Sequence, residues 1–116
     1  MVGSKKTHKK PEIDRVIHEP ARLQIISYLA TGGPEVSFTE LGEKLGLSSG
    51  NLSVQLKKLE EAGYLSIVKT FKDNRPLTSV TITKAGMVAL KIYLDELEQM
   101  IGFLKTAMPE HKNDQR

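Results

Sequence analysis

Ser48, Ser49, Asn51, Ser53, Lys57 and Lys58 fall within one short stretch that contains no carboxylate, and Lys72 and Arg75 follow on either side of Asp73-Asn74. Hydroxyls and an amide exchange hydrogen bonds with polar edges, and lysine and arginine meet anions. The chemistry these residue types offer is recognition. The sequence has no glycine-rich phosphate loop with its lysine, no nucleophile elbow and no metal-ligand cluster. His18-Glu19 invites a metal or catalytic reading, but Pro20 follows directly and His8 and His111 lie in the polar ends. A structural or helix-start role is the expectation for His18, and the chain is read as a non-enzyme without metal or cofactor.

The elements that must carry these side chains can be read from apolar spacing. Leu41 and Leu45 mark one short helical stripe, and Leu52, Leu56 and Leu59 mark a second at i, i+4, i+7. Between them Gly46-Leu47-Ser48 supplies a glycine for the left-handed helix end and a serine to cap the next helix. With the leucines turned inward, Gly50, Val54, Lys57 and Glu61 turn outward, flanked by Asn51, Ser53 and Lys58. Two helices joined by so short a turn form a helix-turn-helix, and small polar residues at the start of its second helix suit a major groove.

Gly63 ends that helix, and a strand is expected from Tyr64 to Phe71. A second β-rich run extends from Leu77 to Thr83 after the polar turn Lys72-Asp73-Asn74-Arg75-Pro76. The hairpin forms a wing with Lys72 and Arg75 on a flexible projection. Upstream, Ile13, Val16 and Ile17 suggest a partial helix, Pro20 opens a helix to Ala30, and Leu23, Ile26 and Leu29 face the core, with Ile25 broadening that face. Thr31-Gly32-Gly33-Pro34 breaks it, and Val36-Ser37-Phe38 is expected to add an edge strand to the wing, with Ser37 or Thr39 capping the following helix.

The last long element, Lys84 to Thr106, repeats Leu90, Leu94, Leu97, Ile101 and Leu104 with heptad spacing, widened by Tyr93, Met100 and Phe103. At 1.5 Å per residue it would be about 34 Å long, more than the small domain it leaves. Its outer half needs a second surface. The seam Leu90, Tyr93, Leu94, Leu97, Met100, Ile101 and Leu104 is therefore assigned to a homodimer interface, against the alternative that the helix folds back on the first helix.

From about His18 to Leu94 the chain resembles the winged helix-turn-helix domains of MarR- and ArsR-type transcriptional regulators. The residues that carry the resemblance are His18 to Leu23, Ser53 to Leu65, Asp73 to Pro76 and Val80 to Gly86. It implies a mainly α fold with a small β-hairpin wing and a long C-terminal dimerisation helix. It also implies symmetric dimers on double-stranded DNA at an inverted repeat, with the recognition helix, about 49–62, in the major groove. The wing, about 72–76, would lie on the backbone or in the minor groove. The DNA-binding roles fall on Ser48, Ser49, Asn51, Ser53, Val54, Lys57, Lys58, Lys72 and Arg75. The chain departs from many relatives in carrying Gly50 and Val54 on the outer recognition face and a single arginine in the wing.

The chain has 116 residues and a formal net charge of +3, which suits one domain. Its charge is uneven. From Ser48 to Lys84 six cations (Lys57, Lys58, Lys69, Lys72, Arg75, Lys84) face three acids, whereas Pro11 to Leu47 has three cations and six acids. Clustered cations are the footprint of a polyanion partner. The absence of cysteine removes thiolate metal and redox sensing. With no apolar run of spanning length and no apolar signal core, a cytoplasmic protein without membrane association is expected. Domain bounds are read as a disordered basic arm over 1–12, a winged-helix domain over 13–106 with its dimerisation helix over 84–106, and a flexible tail over 107–116. Lys5, Lys6, Lys9 and Lys10 make the arm either a solubilising tail or a source of phosphate contacts. A repressor that binds DNA is one functional reading. A winged helix used as a protein-interaction module without DNA binding is another, and a small-molecule effector of unknown identity, bound where the first and last helices meet, remains open beside both.

Overall fold

The computed structural model describes residues 12–110. Most of the basic arm expected over 1–12 and part of the tail expected over 107–116 lie outside the described residues. The elements run α1 (Pro20–Thr31), β1 (Val36–Ser37), α2 (Phe38–Leu45), α3 (Ser49–Glu61), β2 (Leu65–Lys72), β3 (Arg75–Ile82) and α4 (Lys84–Ala107). The three strands form one antiparallel sheet in the order β1-β3-β2. This is the winged-helix architecture expected from the sequence: mainly α, with a β-hairpin wing and a long last helix.

Each helix start is fixed by a side-chain oxygen. Glu19, Ser37, Ser48 and Thr83 accept from the backbone N–H groups of Arg22, Glu40, Asn51 and Gly86 respectively. Ser37 takes the cap of α2, and Val36–Ser37 pairs with Val80 and Ser79 as the edge strand. The core gathers Ile25, Ile26 and Leu29 of α1, Leu41 of α2, and Leu52, Leu56 and Leu59 of α3 over Val36, Leu65 and Val80 of the sheet. Ile25 is fully buried, whereas Leu23 only packs against the core from its edge. Gly86, in the first turn of α4, is a packing requirement. A Cβ there would meet the Tyr64 carbonyl oxygen at 2.1 Å, so only glycine lets α4 lie this close to the base of the wing.

Three expectations need correction. Ile13, Val16 and Ile17 do not form a partial helix. Val16 and Ile17 lie on a single turn, their N–H groups held by the Asp14 carboxylate at 2.9 and 3.2 Å, with Ile17 buried and Ile13 just before the turn. Beyond it Glu19 is extended, with φ −152°, and caps α1 at Pro20, so the turn does not continue into a helix.

The wing is tighter than expected. Its strands run to Lys72 and start at Arg75, so the turn is only Asp73-Asn74, with φ of +53° and +65°. Asp and Asn tolerate the left-handed region that a two-residue hairpin turn demands. Lys72 and Arg75 then close the ladder opposite each other, and the next pair is Phe71 with Pro76. In an antiparallel ladder that next pair exchanges no backbone hydrogen bonds, so the N–H that proline lacks is not needed.

The third correction concerns the heptad seam. Leu90 is 7% exposed and Tyr93 1% exposed, both within the core of their own protomer, and Leu97 packs against that core from outside. Tyr93 OH and His18 Nδ1 lie 2.9 Å apart, which gives His18 a structural role. Only the remainder of the seam is open to solvent: Leu94, Ile101 and Leu104 are each close to half exposed, and Met100 is intermediate.

Candidate nucleic-acid interface

The α2–α3 unit is built by its two caps and the turn between them. Gly46 takes φ +68° and its N–H returns to the Gly42 carbonyl, which stops α2. Ser48 Oγ then accepts from Asn51 N at 3.1 Å and starts α3. The Tyr28 hydroxyl donates to Glu40 Oε2 at 2.6 Å and ties α1 to α2. That hydrogen bond to a carboxylate raises the Tyr28 pKa above the usual tyrosine range.

Because Leu52, Leu56 and Leu59 are buried beneath α3, its opposite face is presented to solvent. Ser49, Gly50, Asn51, Ser53, Val54, Lys57 and Lys58 are all exposed there, as the sequence predicts, with Ser48 exposed at the cap. The first turn of α3 holds no acidic residue, so the positive end of the helix dipole is not neutralised by a carboxylate of its own. Gly50 has no heavy atom within 4 Å of where a Cβ would stand, so nothing within the protomer requires a glycine at that position. What the gap provides is room for close approach from outside.

The wing stands beside this face. A cleft of about 650 Å³ runs between them, lined by Ser53, Lys57 and Glu60 of α3 and by Ile67, Lys69 and Thr78 of the wing, with Phe38 and Leu56 at its floor. Lys57 and Lys69 thus look into one space from opposite walls, with Glu60 as the single acid. At the tip, Lys72 and Arg75 are exposed and directly paired across the strands. Like charges placed opposite each other weaken a hairpin unless an anion lies near, which again points to a polyanion partner.

Four residues of this surface are absent from the sequence-based site. Lys69 and Phe71 follow Leu65 and Ile67 on the inner face of the wing, and Phe71 is 76% exposed where the hairpin runs past the core. Extending the period of two to the end of the strand would have found both. Gln55 and Arg22 were missed because their contact, Arg22 Nη1 donating to Gln55 Oε1 at 2.7 Å, joins residues 33 apart and leaves no local pattern.

No group of three or more His, Cys, Asp or Glu side chains suited to a metal ion occurs among the described residues. No described helix is long and apolar enough to cross a membrane.

Comparison with known proteins places these features in context. The sequence profile of the winged helix DNA-binding domain matches residues 21–101. An uncharacterized protein of Methanocaldococcus jannaschii is 37% identical over 86 residues, covering 74% of this chain and 92% of that one. An uncharacterized helix-turn-helix-type transcriptional regulator of Bacillus subtilis is 36% identical over 64 residues, which are 55% of this chain and 41% of the regulator. Among solved structures, a transcriptional regulator homologue from Pyrococcus horikoshii superposes with a TM-score of 0.73 at 32% identity, over 78% of this chain and 89% of the other. A MepR mutant of S. aureus bound to an oligodeoxyribonucleotide shares the fold, with a TM-score of 0.62 at 16% identity over 88% and 77% of the two chains.

Proposed function

The chain belongs to the winged helix DNA-binding family, and from that premise we propose that it is a homodimeric, sequence-specific transcriptional regulator that acts, as a repressor, by occupying an operator. The observation that carries this reading is the outer face of α3: capped, free of acid in its first turn, exposed from Ser49 to Lys58 and flanked by the cationic wing. On this reading α3 enters the major groove. Ser49 and the free N–H groups of the first turn approach a phosphate. Asn51 and Ser53 meet base edges, and Val54 lies against a thymine methyl. Lys57, Lys58, Lys72 and Arg75 contact phosphates, with Lys69 added on the cleft wall.

The exposed stripe of α4 supports the dimer. Met87, Leu94, Ile101 and Met108 recur at heptad spacing and are all 41% exposed or more. Beside them Leu104 continues the row of Leu90 and Leu97 beyond the core. A second copy covering this stripe would remove several large apolar side chains from water, worth several kcal/mol at ~25 cal/mol per Å². A twofold axis through the two stems sets two α3 helices about one DNA turn apart, and the operator is then an inverted repeat. A small-molecule effector, if the regulator has one, has a hollow available between the N-terminal turn and α4, lined by Asp14, Tyr64, Tyr93 and Glu96.

The test is retardation of random-sequence duplex at low and moderate salt, with affinity measured over a salt series. Wild type is expected to bind and to weaken steeply with salt. Lys57→Ala and Arg75→Ala are each expected to weaken binding to all sequences and to lower the salt slope by about one unit. A chain that retards no duplex at either salt is a protein-interaction module instead, and salt slopes unchanged in both variants would remove these residues from the phosphate contacts.

A further inference from the structure

Three side chains connect α1 to the reading face of α3. Arg22 donates through Nε to the Val16 carbonyl at 2.6 Å and through Nη1 to Gln55 Oε1 at 2.7 Å. Gln55 Nε2 donates in turn to Asn51 Oδ1 at 3.0 Å. Arg22 and Gln55 are half-buried, and Asn51 is exposed in the first turn of α3.

The direction of this chain is imposed from its inner end. A guanidinium has donors and no acceptor, so Gln55 can meet Arg22 only with its oxygen. That leaves the Gln55 NH₂ facing Asn51, and an NH₂ needs an oxygen opposite it. Asn51 must therefore turn Oδ1 inward and leave its own NH₂ outward. An unrestrained surface asparagine can present either end, because the two ends have nearly the same shape and differ only in being donor or acceptor. Nor is the Asn51 side chain used to cap its own helix, since the cap is supplied by Ser48.

We propose that Arg22 and Gln55 are positioning residues that set base preference: they hold Asn51 as an outward donor, so that it selects a keto base, guanine or thymine, on the contacted strand. Guanine O6 and N7 and thymine O4 are acceptors in the major groove, whereas cytosine offers only its N4 donor, which would face the Asn51 NH₂ donor to donor, and adenine offers N7 alone beside its N6 donor. The two-bond pairing of asparagine with adenine needs the amide oxygen outward, and the oxygen is committed to Gln55. The inference rests on the DNA-binding reading above and deepens it. It assigns a role to Arg22, which lies outside the reading helix, and gives the base class read at one position of each half-site.

The decisive variant is Gln55→Glu, which replaces the NH₂ by an oxygen. A carboxylate still accepts from Arg22, so the link to α1 is kept. It also accepts from Asn51, which must now turn its NH₂ inward and its oxygen outward. Relative affinities are measured for duplexes carrying each of the four bases at the contacted position, located as the position where Asn51→Ala flattens the preference. Wild type is expected to favour guanine or thymine over cytosine roughly tenfold or more, the range for one good base contact, and over adenine by less, because adenine N7 still accepts. In Gln55→Glu the preference reverses toward adenine or cytosine, on top of a uniform loss from the added negative charge. In Arg22→Met the preference collapses to about threefold or less while circular dichroism reports an intact helix content. A Gln55→Glu variant that keeps the wild-type base order and loses affinity uniformly overturns the inference and leaves the DNA-binding reading standing. A wild-type chain that binds no duplex overturns both.

Discussion

On α3 the exposed side chains from Ser49 to Lys58 are mainly hydroxyls, an amide and two lysines, above leucines buried to within 2% of complete. On the outer half of α4 and just past its end, every residue from Ile101 to Glu110 is exposed, and Ile101, Phe103, Leu104 and Met108 are among them. Both helices are amphipathic by the same rule, yet they leave opposite chemistry in water. In α3 the apolar stripe is as long as the domain beneath it, and it is used up. The stripe of α4 is longer than the domain: 24 residues span about 36 Å, and only the part up to about Leu97 finds its own core. A surface of the first kind attracts a partner through charge and hydrogen bonding, so its binding weakens with salt. The second kind attracts through apolar burial, and its binding depends on protein concentration.

The strongest way to break that comparison is to make the stem polar. Ile101→Glu combined with Leu104→Glu, at positions 46% exposed, is expected to leave the protomer folded. Sedimentation is expected to show dimers for wild type and monomers for the variant, and operator affinity should fall roughly hundredfold or more because the second half-site no longer binds as part of the same assembly. A wild type that sediments as a monomer would dissolve the contrast between the two surfaces.

Gly50→Ala sharpens the other side. Its Cβ meets nothing inside the protomer, and alanine favours a helix over glycine by up to about 1 kcal/mol, so the thermal midpoint should hold or rise. Duplex affinity should nevertheless fall about tenfold, roughly 1.4 kcal/mol, if a phosphate or base edge approaches that point. Affinity that stays level with the rising stability would mean that the first turn of α3 remains away from the DNA.

The smallest effect probes the tie between the N-terminal turn and the base of the wing. The Tyr64 hydroxyl donates to the Asp14 carboxylate, and this hydrogen bond, with burial and the nearby charge, pushes the Tyr64 pKa from 10.0 to about 12. The folded state holds that proton more tightly than the unfolded chain does, so the contribution is full below pH 10 and is lost as pH rises toward 12. Tyr64→Phe should cost about 1 kcal/mol near neutral pH, and the gap between variant and wild type should close over that alkaline range. A gap that stays constant in chemical denaturation at pH 8 and above would detach Tyr64 from Asp14.

What could be read from the sequence follows the range of the forces involved. The caps at Ser37 and Ser48, the left-handed Gly46, the inward leucines of α3 and the edge strand at Val36–Ser37 are local or periodic, and the structure has them where the pattern indicates. The wing tip is not legible in the sequence because Lys72, Arg75 and Pro76 look like turn residues. Only the ladder register shows that Asp73-Asn74 suffices for the turn. Leu90 belongs to the same heptad seam as Leu94 and Ile101, with Tyr93 beside it, and spacing alone cannot say which part of a stripe its own domain covers. The Arg22–Gln55–Asn51 chain depends on α1 packing against α3, a tertiary contact with no sequence period.

The claim on which the account depends is that two reading heads are held at a fixed separation by paired stems. Hydroxyl-radical footprinting of a duplex selected by the wild-type protein tests it most directly. The expected result is two protected patches related by a dyad, with centres about 10 base pairs apart or a multiple of that spacing. One isolated patch, from a complex of one protein chain per duplex, would contradict it.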